Sequence, residues 1–199
     1  MTKEEWLPIL SRLNNALLNS KDFEDDLTPE ERFKVWCGSP PASEEEILKT
    51  EARLGLTLPP SYRSFLSISN GWRLFDTLVE RLLPVQEIER YRDADPGDLA
   101  AILKMREDEV SDRDYLDYED PEHNEALRHR YYPESILVGK GWGVESERIL
   151  LNPKIVSDGG EWETIYFANW IPGNYRYRSF RDFVEDSVSS LEKEQTNKP

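Results

Sequence analysis

The 199 residues carry a net charge of −15, with 33% charged and 38% apolar residues. A surface this negative repels phosphate backbones and anionic lipids, which argues against nucleic-acid and membrane partners and favours basic proteins; solubility alone is a competing explanation of the charge. Cys37 is the single cysteine, so an internal disulfide is excluded and a reducing compartment is favoured.

The opening residues MTKEEWLPIL are acidic where a signal peptide is basic, and no apolar run is long enough to span a bilayer. The expectation is a soluble, cytoplasmic protein. Thr2 and Glu5 have capping-box spacing for a first helix, whose apolar face is Trp6, Leu10, Leu13 and Leu17. Pro8 removes a helical hydrogen bond, so regular helix is predicted from near Leu7. A second short helix is predicted from Thr28 as cap, Pro29 at the first position, Glu31 completing the box, then Phe33 and Trp36. Gly38 and Ser39-Pro40-Pro41 end it.

Residues 42–72 read as two helices joined by a tight turn. Ser43 caps the first, with Glu46 reaching back. Ile47 and Leu54 share a face flanked by Leu48 and Ala52. Gly55 suits the left-handed residue that ends a helix, with Leu56 folding back. Pro59-Pro60 starts the next helix, which carries Tyr62, Phe65, Leu66 and Ser69, and Asn70-Gly71 stops it.

WRLF and RLLPV, at residues 72–75 and 81–85, are predicted strands. QEIERYR opens a helix, and DLAAILKMRE is a stronger one, capped by Asp98, with Leu99, Ile102, Leu103 and Met105 available for burial. Residues 106–125 then hold ten acidic and two basic residues, a local charge of −8. With few apolar residues, this reads as an exposed insertion or long loop.

SILVGKG, ERILLNP and ETIYFANW form a predicted meander, with Asp158-Gly159-Gly160 as a hairpin turn. Ser179 and Asp182 cap a last helix that buries Phe180, Phe183, Val184, Val188 and Leu191; EKEQTNKP frays. The fold class is α+β: one domain, residues 1–199, with N-terminal helices and a helix-turn-helix on a mostly antiparallel sheet, closed by a C-terminal helix.

These elements carry few residue patterns of catalytic or ligand-binding type. GKGWG at residues 139–143 lacks the Lys-Ser/Thr pair of a phosphate loop and reads as a turn or bulge. His123 and His129 read as lone histidines on an exposed polar helix, without metal-ligand spacing. Asp112-x-Asp114 opens like a calcium loop, but the required glycine and terminal glutamate are out of register. Cys37 has no neighbouring histidine in sequence. No catalytic residues, cofactor or metal site are expected.

The run S-E-E-E-I…E-x-R-L-G-x-x-L-P-P-S-Y-R-x-F-L…S-N-G-W resembles the signature of the SUKH superfamily, in the branch of a yeast cell-wall-synthesis regulator and many bacterial toxin-immunity proteins. E-W-E-T-I-Y-F-A-N-W and the final S-F-R-D-F-V resemble it more loosely. The resemblance implies an α+β fold with a central sheet, protein binding and no catalysis. The expected function is therefore an immunity protein masking a cognate toxin domain. The alternative is an intracellular adaptor with no toxin partner.

An acidic patch would mimic phosphate against a basic toxin surface. The expected partner-binding residues are Asp112, Asp114, Tyr115, Asp117, Tyr118, Glu119 and Asp120, with Trp72 and Trp142 on the sheet side. As an exposed segment, its carboxylates would be dispensable for folding. Core packing is the competing reading of the tryptophans, and a solvated loop that of the acidic segment. The oligomeric state stays open.

Overall fold

Ser43 Oγ accepts from the Glu46 amide while the Glu46 carboxylate accepts from the Ser43 amide, so the predicted capping box starts helix α2 (Glu44–Leu54). Gly55 ends it at φ 69°, and the Gly55 and Leu56 amides both return to the Glu51 carbonyl. Pro60 opens α3 (Pro60–Leu66). Leu48 and Ala52, predicted beside the apolar face, are exposed.

The structure is a computed structural model that describes residues 3–20, 23, 36–143, 147–168 and 174–197. The Thr2 cap, all of the helix predicted from Thr28 to Trp36 except Trp36 itself, and Trp170 lie outside them. Helix α1 (Lys3–Asn19) contains Pro8, against the expectation of a start near Leu7. A single lost hydrogen bond is outweighed by Trp6, which is fully buried. Trp6 packs against Phe65 and Phe180 at 5.7 and 6.0 Å, and its Nε1 donates to Ser64 Oγ at 2.8 Å.

Three two-residue strands follow α3: β1 (Trp72–Arg73), β2 (Arg81–Leu82) and β3 (Glu89–Arg90). Next come α4 (Tyr91–Ala94), α5 (Pro96–Ile102), α6 (Asp112–Tyr115), α7 (Pro121–Asn124) and a 3-10 turn, His129–Glu134. The chain closes with β4 (Ile136–Lys140), β5 (Arg148–Val156), β6 (Trp162–Phe167), β7 (Asn174–Tyr177) and α8 (Phe180–Asn197). The strands make one antiparallel sheet, ordered β1-β2-β4-β5-β6-β7, with β3 also paired to β4. The fold is the α+β single domain expected.

Pairing register sets the two faces. Glu163 lies opposite Asn152, and Ile165 opposite both Leu150 and Arg176, so these five share one face. Residues 91–134 cover that face: Tyr132 packs on Phe167, and its hydroxyl donates to Asn174 Oδ1. The other face carries Tyr166 opposite Tyr175, and Thr164 opposite Tyr177. There α8 packs, with Tyr177 against Phe183 at 5.5 Å.

Several sequence expectations are corrected. Asp95, not Asp98, caps α5, and that helix ends at Ile102, leaving Leu103 and Met105 exposed. Asp98 instead accepts from the buried Tyr91 hydroxyl. QEIERYR divides into β3 and the start of α4. The last helix does not fray at Glu192: it runs to Asn197, held by an Arg12–Glu192 ion pair and by Gln195 donating to the Ala16 carbonyl.

Leu54 is buried at the end of α2. Leu54→Ala should cost about 2–5 kcal/mol in denaturant melts; a loss under about 0.5 kcal/mol would show that this face does not hold the core.

Candidate functional site

Residues 106–125 are not a free loop. Their anchor is Arg176, a residue of β7 left only 1% exposed. Its Nη1 donates to Glu163 Oε1 at 2.9 Å and to the Tyr115 carbonyl at 2.6 Å. Its Nε donates to the Asn124 carbonyl, and its Nη2 to that of His123. The Glu163 carboxylate, equally buried, also accepts from the Tyr115 and Tyr118 hydroxyls and from Asn152 Nδ2. Both ions thus have partners for most of their donors and acceptors, as a sealed ion pair requires.

Tyr115 lies between two guanidinium groups, Arg176 at 3.7 Å and Arg128 at 4.1 Å from its ring centre. Burial, and then the Glu163 charge, push the Tyr115 hydroxyl pKa far up, so it stays a donor. The chain just after α7 then runs along β7. The Asn174 amide donates to the Glu125 carbonyl, and the Arg176 amide to Asn124 Oδ1. These are the outward amides of an edge strand, which would otherwise be open to another chain.

The predicted contact residues therefore separate. Tyr115 and Trp72 are each 1% exposed and form no surface. Tyr115 is drawn under the segment by Arg176, and Trp72 stacks edge-on with Trp36 at 5.1 Å. Asp112, Asp114, Asp117, Glu119 and Asp120 keep solvent contact, but each has a structural partner. Asp112 pairs with buried Arg128, Asp114 accepts from Ser111 Oγ, and Asp117 accepts from the Glu119 amide. Glu119 pairs with Arg178, and Asp120 caps α7 through the Glu122 amide. The expectation that these charges are idle in folding is corrected for Asp112, which neutralises a buried arginine, and for Asp120, which caps α7. Trp142 is exposed, one residue beyond Gly141, where a side chain would collide with the Glu147 carboxylate and the Leu78 carbonyl. His129 is buried in the 3-10 turn and not on an exposed helix.

A groove runs beside β7. One part, a hollow of about 450 Å³, is bordered by Tyr118, Glu119, Arg178, Asp182 and Asp186. The other, a cavity of about 240 Å³, shares Tyr175, Tyr177 and Asp186 with it and adds Asp76, Leu78 and Tyr166. Of the residues around the groove, sequence reasoning singled out only Tyr118 and Glu119 as contact residues. The signal missed was N-Y-R-Y, whose alternation places Tyr175 and Tyr177 on one face of a strand. Asp76 holds the turn before β2, accepting from the Leu78 and Val79 amides at 2.8 and 2.6 Å. Burial, opposed by those amides and reinforced by Glu147 and Glu194, raises its carboxyl pKa to about 6.

Among the described residues, no group of three or more His, Cys, Asp or Glu is placed to hold a metal ion. No helix among them is long and apolar enough to cross a membrane. Fold and groove together define a small α+β domain with an acidic, tyrosine-rich sheet edge. The chain belongs to the SMI1 / KNR4 family (SUKH-1), whose model matches residues 41–186, more than two thirds of its length. No curated protein matches it.

Arg176→Met would strand the Glu163 charge and should cost about 3–5 kcal/mol in urea melts. Adding Glu163→Gln should recover part of that loss. A loss below about 1 kcal/mol for the single variant would mean the pair does not anchor the segment.

Asp76 binds its proton more tightly folded than unfolded, so its charge lowers stability as pH rises from about 4 through about 6. Asp76→Asn keeps the acceptor for both amides. It should stabilise by about 1–3 kcal/mol at pH 7 and by little below pH 4. Thermal melts across that range check it; an equal effect at both ends would disprove the assignment.

Proposed function

We propose that the chain is an immunity protein that binds a cognate toxin domain and masks its basic, substrate-holding surface, without catalysis of its own. Family membership supports a role in protein binding. The observation that carries the toxin reading is the β7 groove, where tyrosines alternate with carboxylates and the acidic segment borders one end. Tyrosine supplies contact area at small entropic loss, and carboxylates steer a basic partner from a distance. Leu78, Trp142 and Tyr175 are exposed and supply apolar contact beside it. The contacts shift from the whole acidic segment toward its Tyr118–Glu119 end and the groove. Asp112, Asp114, Asp117 and Asp120 add long-range charge while holding the segment in place. The adaptor reading remains the rival; a toxin gene beside the gene for this chain separates the two.

The test spares the carboxylates that cap a helix, hold a turn or meet a buried arginine. Glu122 and Glu125 are exposed, and Glu119 holds only a surface pair with Arg178. Changing all three to Gln should leave the melting temperature nearly unchanged. Association with the neighbouring toxin domain should slow at low salt, with a flatter salt dependence, because screening acts on the long-range attraction. Surface-binding kinetics and survival on co-expression are the measurements. Unchanged association at both salt levels with full protection would remove this end of the segment from the mechanism.

A further inference from the structure

The smaller cavity has a composition of its own. Asp76, Asp186 and Glu194 stand around it, three tyrosines line it, and no lysine, arginine or histidine does among the described residues. Its volume of about 240 Å³ lies below the roughly 300–1,000 Å³ of small-molecule sites and suits one long side chain. Tyr166 forms part of the wall and is 7% exposed, yet its hydroxyl has no hydrogen-bond partner among the described residues. Burial, and then the Glu147 and Asp76 charges, raise the pKa of that hydroxyl, so it keeps its proton. A buried hydroxyl without a partner is a group awaiting one. Tyr177 already donates to Asp186 at 3.0 Å, which holds that carboxylate at the mouth.

We propose that this cavity receives a single arginine side chain from the protein partner, its guanidinium against the tyrosine rings and its N–H groups on the Asp76, Asp186 and Glu194 carboxylates and the Tyr166 hydroxyl oxygen. This rests on the reading of the chain as a protein-binding domain and adds the anchor that the groove is built to take. Arginine fits better than lysine because its planar fork both stacks on aromatic rings and meets several acceptors at once. One inserted side chain in a largely desolvated pocket is also how hot spots are built.

The probe is Nα-acetyl-arginine amide, titrated at millimolar concentration into the full-length 15N-labelled chain. Nα-acetyl-citrulline amide serves as the uncharged control of the same shape. Arginine should produce saturable shifts at Leu78, Val79, Tyr175, Tyr177 and Ser187, and citrulline at least about tenfold weaker ones. Asp186→Asn with Glu194→Gln should weaken arginine binding about fivefold or more, and Tyr166→Phe about twofold. Equal response to citrulline, shifts elsewhere, or undiminished binding by the double variant would overturn the assignment. The same variants are measured against the toxin domain. If toxin binding is unaffected, this proposal fails and the immunity reading stands. If arginine amide fills the cavity but no toxin binds, the immunity reading fails and the site stands.

Discussion

A guanidinium sealed from water needs a counter-charge and an acceptor for nearly every donor. Arg176 finds the charge in Glu163, its diagonal neighbour on the sheet, and the remaining acceptors in the backbone of residues 115–124. Only with that backbone in place are both ions satisfied. The docking of a segment with a charge of −8 thus follows from the needs of one buried cation. Exposed pairs such as Arg106–Glu109 contribute little by comparison, because water already satisfies both ends.

The same arrangement divides the acidic residues into two kinds. Some close helices or meet arginines, as Asp120 and Asp112 do. Others, such as Glu122 and Glu125, only face solvent. Negative charge is therefore built into the fold as well as displayed by it. Family membership and a tyrosine-lined groove with a carboxylate border fit one another: both point to recognition through a surface.

Local signals in the sequence were reliable where the physics is local. The Ser43–Glu46 box, the Gly55 stop and the Asp158-Gly159-Gly160 turn depend on neighbours in the chain, and the buried face of α8 depends on helical spacing. Strand β7 was missed because its inward residues are Asn174 and Arg176, which read as solvent-facing until their distant partners are known. Pro8 and Asp98 were misjudged for a related reason. The burial of Trp6 outweighs one lost helical bond, and Asp98 is held by the Tyr91 hydroxyl. Of the groove, only the Tyr118–Glu119 end was legible, since its other walls join the turn at Asp76 to a strand and helix about a hundred residues further on.

The contacts that seat the Arg176 guanidinium in the acidic segment join residues 52 to 61 positions apart. Contacts this distant require a large loop to close before they return any stabilisation, which slows folding. With its arginine inward but the acidic segment absent, the edge strand would hold buried donors without acceptors, so strand and segment are expected to form as one cooperative unit.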